Sequence, residues 1–188
     1  FGSLQVARRL PAEFVRDNTL AVSGLLVREI GGPSVKPFQP AGYYRHLNFP
    51  RRSYKEDPGD AQWRRGLYVH WQRQFLHPMM KAFDAPSREE CTTQRPQSNT
   101  PLAALVLLND PTFLKAAKAF ADKIASKGGD SFEDRLSYAF EQALSRSPDA
   151  FERNTLAALI EDRNSKSPEN WMPVARAVLN LAETHLRR

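Results

Sequence analysis

The sequence predicts a mainly α fold: an antiparallel helical bundle carrying a long, irregular excursion rich in proline and aromatic residues. Three observations lead there. Residues 101–188 repeat a capping residue followed by an apolar stripe at helical spacing, several times in succession. Residues 33–100 concentrate prolines and aromatics and show little periodicity. One further amphipathic helix precedes both. The expected organisation is a single domain fragment, with a helix in 1–32, an irregular wrap in 33–100 and a helical bundle in 101–188.

The first helix is expected to start at Pro11, because proline costs nothing in a first turn whose N–H groups lack partners anyway. Glu13 suits the positive end of that helix. Val15, Thr19, Val22, Leu26 and Ile30 share one face, and Gly31-Gly32-Pro33 is expected to end the element.

From Pro33 to Gly66 the chain carries Pro33, Pro37, Pro40, Pro50 and Pro58 together with Phe38, Tyr43, Tyr44, Phe49, Tyr54 and Trp63. Prolines deny the backbone a regular ladder, while aromatics bring large areas to bury. A disordered segment would lack those rings, so this stretch is expected to be ordered, irregular and laid against the helices. Lys55 to Asp60 is its expected exposed tip. Leu67 to Gln74 fits a short strand or a helix, and its alternation slightly favours the strand. Pro78 to Phe83 fits one helical turn.

The C-terminal half is written more regularly. Thr100-Pro101 opens a helix through Leu108, and Asp110-Pro111 repeats the signal. Phe113, Ala117, Phe120, Ala121 and Ile124 form the stripe of that second helix, which Gly128-Gly129 ends. Ser131 opens a helix with Phe132, Leu136, Ala139, Phe140, Ala143 and Leu144 on one face. Ser147-Pro148 opens another, carrying Phe151, Leu156, Leu159 and Ile160. After a loop over 164–168, Trp171, Val174, Val178 and Leu181 mark the last helix. Short links between amphipathic helices imply antiparallel neighbours.

Composition narrows the functional classes. At 188 residues, 41% hydrophobic and 26% charged, the chain is long enough for one core without disulfides or metal. No stretch approaches the roughly 18 apolar residues of a membrane span. With 27 Lys and Arg against 21 Asp and Glu, the net charge is +6. That mild excess favours polyanions but is spread without a run, which fits simple solubility as well. Cys91 is the only cysteine, so an internal disulfide and a Cys-x-x-Cys-His haem attachment are both excluded. The start at Phe1, without Met, suggests a fragment, and so its lack of a leader says nothing about export.

Four stretches stand in order along nearly the whole chain: Arg9-Leu10-Pro11-Ala12-Glu13-Phe14-Val15-Arg16-Asp17, Gly31-Gly32-Pro33-Ser34-Val35-Lys36-Pro37, Phe83-Asp84-Ala85-Pro86-Ser87-Arg88-Glu89-Glu90-Cys91, and Arg95 through Pro111. Together they resemble the C-terminal part of the planctomycete-specific domain family, a domain of unknown function. Leu179 to Glu183 also resembles that family's closing motif, though Thr184-His185 departs from the usual aromatic ending. The resemblance implies an exported protein, at the periplasm or cell surface, with further domains upstream, one of them cytochrome-c-like, and a link to polysaccharide use. Any haem is then expected upstream, with no cofactor in this chain. The resemblance assigns no catalytic residues.

Four constellations can carry chemistry. Arg9, Glu13, Arg16 and Asp17 form the densest charged cluster, with Glu13 and Asp17 one turn apart. They suit either acid–base work or glycan binding, or an ion-pair network that fastens the wrap to the helix, which is the favoured reading. Asp84, Arg88, Cys91 and Arg95 share a loop. An arginine can activate a thiolate, but no local histidine accompanies it, and Cys91 is expected to be buried and inert. His46, His70, His77 and His185 lack metal-ligand spacing, so no metal site is expected. Finally, Arg45, Arg51, Arg52, Arg64, Arg65 and Arg73 interleave with Tyr43, Tyr44, Tyr54, Trp63 and Trp71. Rings stack on sugars or bases and arginines fork onto sulfate or carboxylate; the bland alternative is core aromatics with a solvated basic rim.

Three functional readings follow, and whether the chain is an enzyme stays open among them. The leading one is a structural or interaction part of a larger exported, cytochrome-c-linked protein, with its upstream domains as partners. The second is a component of a polysaccharide-acting enzyme whose site is shared with an upstream part. The third is a module for acidic or sulfated glycans; the exported context argues against nucleic acid. A pocket holding Glu13, Asp17 and Arg95 together points to the second, and an open aromatic groove to the third.

Overall fold

The computed structural model describes residues 8–45, 51–72, 75–87, 89–162 and 165–187. Among them the chain is mainly helical. Its α-helices are α1 (Ala12–Ser23), α2 (Pro78–Ala82), α3 (Pro101–Asn109), α4 (Pro111–Lys127), α5 (Phe132–Leu144), α6 (Ala150–Ala157), α7 (Pro168–Leu179) and α8 (Ala182–His185). Two-residue strands, β1 (Arg8–Arg9) and β2 (Leu186–Arg187), pair antiparallel with Arg8 opposite Arg187 and Arg9 opposite Leu186. The Leu10 amide extends this pairing by donating to the His185 carbonyl at 2.8 Å. Among the described residues no helix is long and apolar enough to cross a membrane.

Helix α4 is the hub, because its apolar residues recur at three- and four-residue steps and serve three cores at once. Phe120, Ala121 and Ile124 pack with Leu136 and Phe140 of α5 and with Trp171, Val174 and Val178 of α7. Phe113 packs with Val15, Met79, Met80 and Phe83. Ala116 packs with Leu20 and Trp63. Trp171 is fully buried, stacks on Phe132 with ring centres 5.7 Å apart, and donates its indole N–H to the Ser165 carbonyl at 3.1 Å. Such a ring contributes about 3–5 kcal/mol against alanine.

The caps of the C-terminal half are local and sit where the sequence puts them. The Thr100 side chain accepts from the Ala103 amide, and Asp110 from the Thr112 amide. Ser131 and Asp134 form a reciprocal capping box. Helix α6 differs: Asp149, rather than Ser147, is its cap, in a second box with Glu152. With only two turns it buries one edge, at Leu156 and Ala157; Ile160, beyond its end, is also covered, while Phe151 is 78% exposed and Leu159 is exposed as well.

Two expectations fail upstream. Helix α1 ends at Ser23, well before Gly31, because Gly24 adopts a left-handed conformation (φ 85°) and its amide closes onto the Ala21 and Leu20 carbonyls. The chain then runs extended, bridging Val27 to Arg64 and Val35 to Val69, and leaves Ile30 84% exposed. Residues 67–72 form neither a full strand nor an α-helix: a single 3-10 turn spans Gly66–Tyr68, and isolated bridges follow. Gln74 and Arg73, part of that expectation, lie outside the described residues.

The excursion stays irregular, and side chains satisfy its backbone carbonyls in place of a ladder. Arg64 donates to the carbonyls of Pro33 (2.7 Å) and Gly31, with its guanidinium 4.1 Å from the centre of the Tyr68 ring. Tyr54 donates to Pro37, Tyr43 to Leu76, and the buried His77 lies 2.8 Å from the Phe38 carbonyl through Nε2.

Candidate functional site

The charged cluster at the start of α1 is divided among three internal partners. Arg9 turns away from Glu13: its guanidinium pairs with Asp84 and donates to the Ser98 carbonyl and, at 3.2 Å, to the Phe83 carbonyl. Asp84, itself in a left-handed conformation (φ 59°), accepts the Ser98 amide at 2.7 Å and hydroxyl at 2.8 Å. Burial opposes ionisation of Asp84, but the Ser98 bonds and Arg9 outweigh it and hold the carboxyl below its ordinary range.

Arg16 and Asp17 serve the excursion. Arg16 is buried and donates to the carbonyls of Arg64, at 2.5 Å, and Gln62. Burial lowers its pKa to about 10, against the pull of Asp17, whose Oδ1 lies 3.6 Å away. Asp17 accepts the Gly66 amide at 2.6 Å. Burial pushes its carboxyl up, with that amide and Arg16 acting in the opposite sense. Gly66 has to be glycine for this approach: a Cβ there would stand 2.9 Å from the Glu13 Cα.

Glu13 pairs with Arg95 at 2.8 Å. Glu13, Asp17 and Arg95, together with Arg65, line one cleft of about 550 Å3, edged by the exposed Phe14 and Leu67. The chain thus brings together the carboxylate pair and the cation named from the sequence. The cation comes from a loop far along the chain. The supporting groups Ser98 and Gly66 had no sequence signal: each acts through its backbone or a short hydroxyl.

The tyrosines and arginines of the excursion form a second cleft, of about 560 Å3, lined by Tyr43, Tyr44, Tyr54, Arg45, Arg51 and Arg52. Trp63 does not join them. It is buried against Leu20 and Ala116, with the Lys115 ammonium 5.6 Å from its ring centre. Arg64 is likewise buried as a backbone clamp.

Cys91 is exposed, contrary to expectation. Pro86 and Pro96 bound its loop, but residues 91–97 all face solvent among the described residues. Arg88 and His46, both named from the sequence, lie outside the described residues. His77 and His185 are buried apart from each other, and burial lowers the pKa of each to about 4. Among the described residues no group of three or more His, Cys, Asp or Glu is placed to hold a metal ion.

No curated protein and no solved structure matches the chain. The model of one protein family, PSD1, described as a protein of unknown function (DUF1553), matches residues 3–160. The match covers most of the sequence, including α1, the whole excursion and the helices through α6, and on that ground the chain belongs to the PSD1 family.

Proposed function

We propose that this chain is a structural and interaction part of a larger exported, cytochrome-c-linked protein of planctomycete type, associated with polysaccharide use. The supporting observation is the fate of the α1 charges. Arg9, Glu13, Arg16 and Asp17 each have an internal partner, and those partners belong to the excursion or the 84–98 loop. Groups spent on holding the chain together are not free to move protons. In this reading the haem sits upstream, since the lone Cys91 offers no attachment, and the upstream domains are the partners.

The test is turnover of polysaccharide by the full-length protein carrying Asp17→Asn. The expected result is turnover per folded molecule unchanged. Lost turnover at an unchanged melting temperature overturns this reading.

One observation favours a second reading, a component of a polysaccharide-acting enzyme with a shared site. Glu13, Asp17 and Arg95 do line a common cleft, and burial raises the pKa of Asp17, the direction that suits a proton donor. The same Asp17→Asn experiment decides between the two.

A further inference from the structure

The second cleft gathers three arginines, Arg45, Arg51 and Arg52, on one lining. The buried and half-buried arginines are consumed internally: Arg9 by Asp84, Arg16 and Arg64 by backbone carbonyls, Arg135 by the carbonyls of Gly129, Asp130 and Ser165, and Arg146 by Glu152 and Glu183. In the cleft, Arg45 and Arg51 are exposed and make no hydrogen bond or ion pair among the described residues. Arg52 is steadied by Gln72, a neutral acceptor, at 2.7 Å. Among the described residues no acidic residue lines the cleft. Three cations gathered with no anion repel one another, and an oxyanion placed among them relieves that cost.

The tyrosines make the cleft a formed site rather than a loose basic surface. Tyr43 and Tyr54 donate their hydroxyls to the carbonyls of Leu76 (2.9 Å) and Pro37 (2.5 Å), which fixes both rings. Tyr44 packs edge-on to Tyr54, with ring centres 5.4 Å apart. Its hydroxyl makes no hydrogen bond among the described residues, which leaves one neutral donor for a ligand. Of the carboxylates that follow in the chain, Glu56 is exposed and does not line the cleft, and Asp57 already accepts the Lys36 amide at 2.8 Å.

We propose that this cleft binds a small polar molecule of about sugar size bearing an oxyanion group, with Arg45 and Arg51 on the oxyanion, Arg52 beside them and the Tyr44 hydroxyl as an added donor. Arginine forks match the paired oxygens of sulfate, phosphate and carboxylate alike. The volume suits a small molecule. A single-stranded nucleic acid needs open ring faces in succession; here Tyr44 is buried and the rings pack edge to face. The site shares no lining residue with the α1 cleft, so it stands or falls separately from the function proposed above.

Calorimetric titration with glucose 6-sulfate, glucose 6-phosphate, glucuronate and glucose tests the site, with a thymidine oligonucleotide as a further arm. Saturable binding of at least one charged sugar, weakening with salt, and none of glucose is expected; the order among the three identifies the oxyanion preferred. Arg45→Gln/Arg51→Gln should weaken that binding by at least about tenfold, as loss of charge-assisted bonds implies. Tyr44→Phe should weaken it less. The arginine variant should melt like the parent, because both arginines are exposed, and so should Tyr44→Phe, which keeps the ring and removes a hydroxyl with no partner among the described residues. Equal binding of glucose, binding untouched by the double substitution, binding of the oligonucleotide alone, or no binding at all overturns the proposal.

Discussion

Arg95 reaches back across 82 residues of sequence to place its Nη1 2.8 Å from Glu13 Oε2. This bond closes the 84–98 loop over the first turns of α1. Arg95 is 46% exposed in its side chain, so solvent screens the pair, and a pair of this kind contributes at most about 1 kcal/mol. Glu13→Gln should therefore lower stability by less than about 1 kcal/mol. A double-mutant cycle with Arg95→Gln in urea measures it, and a coupling well above that value would mean the pair is more deeply desolvated than its exposure indicates.

Arg16 should behave differently, because it is buried and its acceptors are backbone carbonyls, that of Arg64 in a buried bond and that of Gln62 in a part-buried one. Replacing it with methionine keeps the volume but strands the Gln62 and Arg64 carbonyls and leaves Asp17 without its cation. The expected loss is about 2–4 kcal/mol, read as a shift of the urea midpoint. A shift as small as that of Glu13→Gln would show that the excursion holds without this clamp.

Gly66→Ala probes the same seam sterically. The new methyl carbon would meet the Glu13 backbone at 2.9 Å, and backbone cannot step aside as a flexible side-chain end can. Overpacking of this sort costs about 1–3 kcal/mol, and should be visible in a thermal melt. Gly59→Ala is a useful contrast, since nothing lies within 4 Å of the added carbon there and only its left-handed backbone (φ 62°) is strained.

Acid should weaken the fold through His77 and His185. Burial lowers both from 6.5 to about 4, so the folded state favours the neutral ring. Their contribution is complete above pH 6.5, falls as the pH drops from there and is gone below about 4. Asp84 and Glu152, held low by their partners, add to the loss at still lower pH, while Asp17 and Asp110, pushed up by burial, oppose it. Urea midpoints between pH 7 and 4 measure the slope, and His185→Phe should flatten it.

Cys91 should react quickly with a thiol reagent in the native protein at neutral pH, because it lies open to solvent. Labelling that waits for denaturant would place it under cover.

What the sequence made legible was local. Thr100, Asp110 and Ser131 could be read as caps because a cap bonds an amide two or three residues away. Asp149 was equally readable from Glu152 three residues on, and the Ser-Pro pair before it drew attention instead. The end of α1 at Gly24 was missed, because apolar residues continue at helical spacing past it to Leu26 and Ile30. Tertiary choices were not legible. Nothing near Arg9 says that its carboxylate is Asp84, 75 residues away, rather than Glu13 on the next turn. Prolines bound the Cys91 loop but do not say what covers it. Trp63 and Tyr54 look alike in a run of aromatics, yet one is needed between α1 and α4 and the other beside the basic cleft.

The pairing of β1 with β2 has a mechanical consequence. Arg8 faces Arg187, and the chain leaves both residues at the same end of the two-residue ladder. A force drawing the two chain ends apart therefore loads the inter-strand hydrogen bonds one after another rather than all together. Such a peeling geometry yields at low force. Under tension the clasp would open first, exposing the His185 carbonyl and the entry to α1 while the α4–α5–α7 core stays closed.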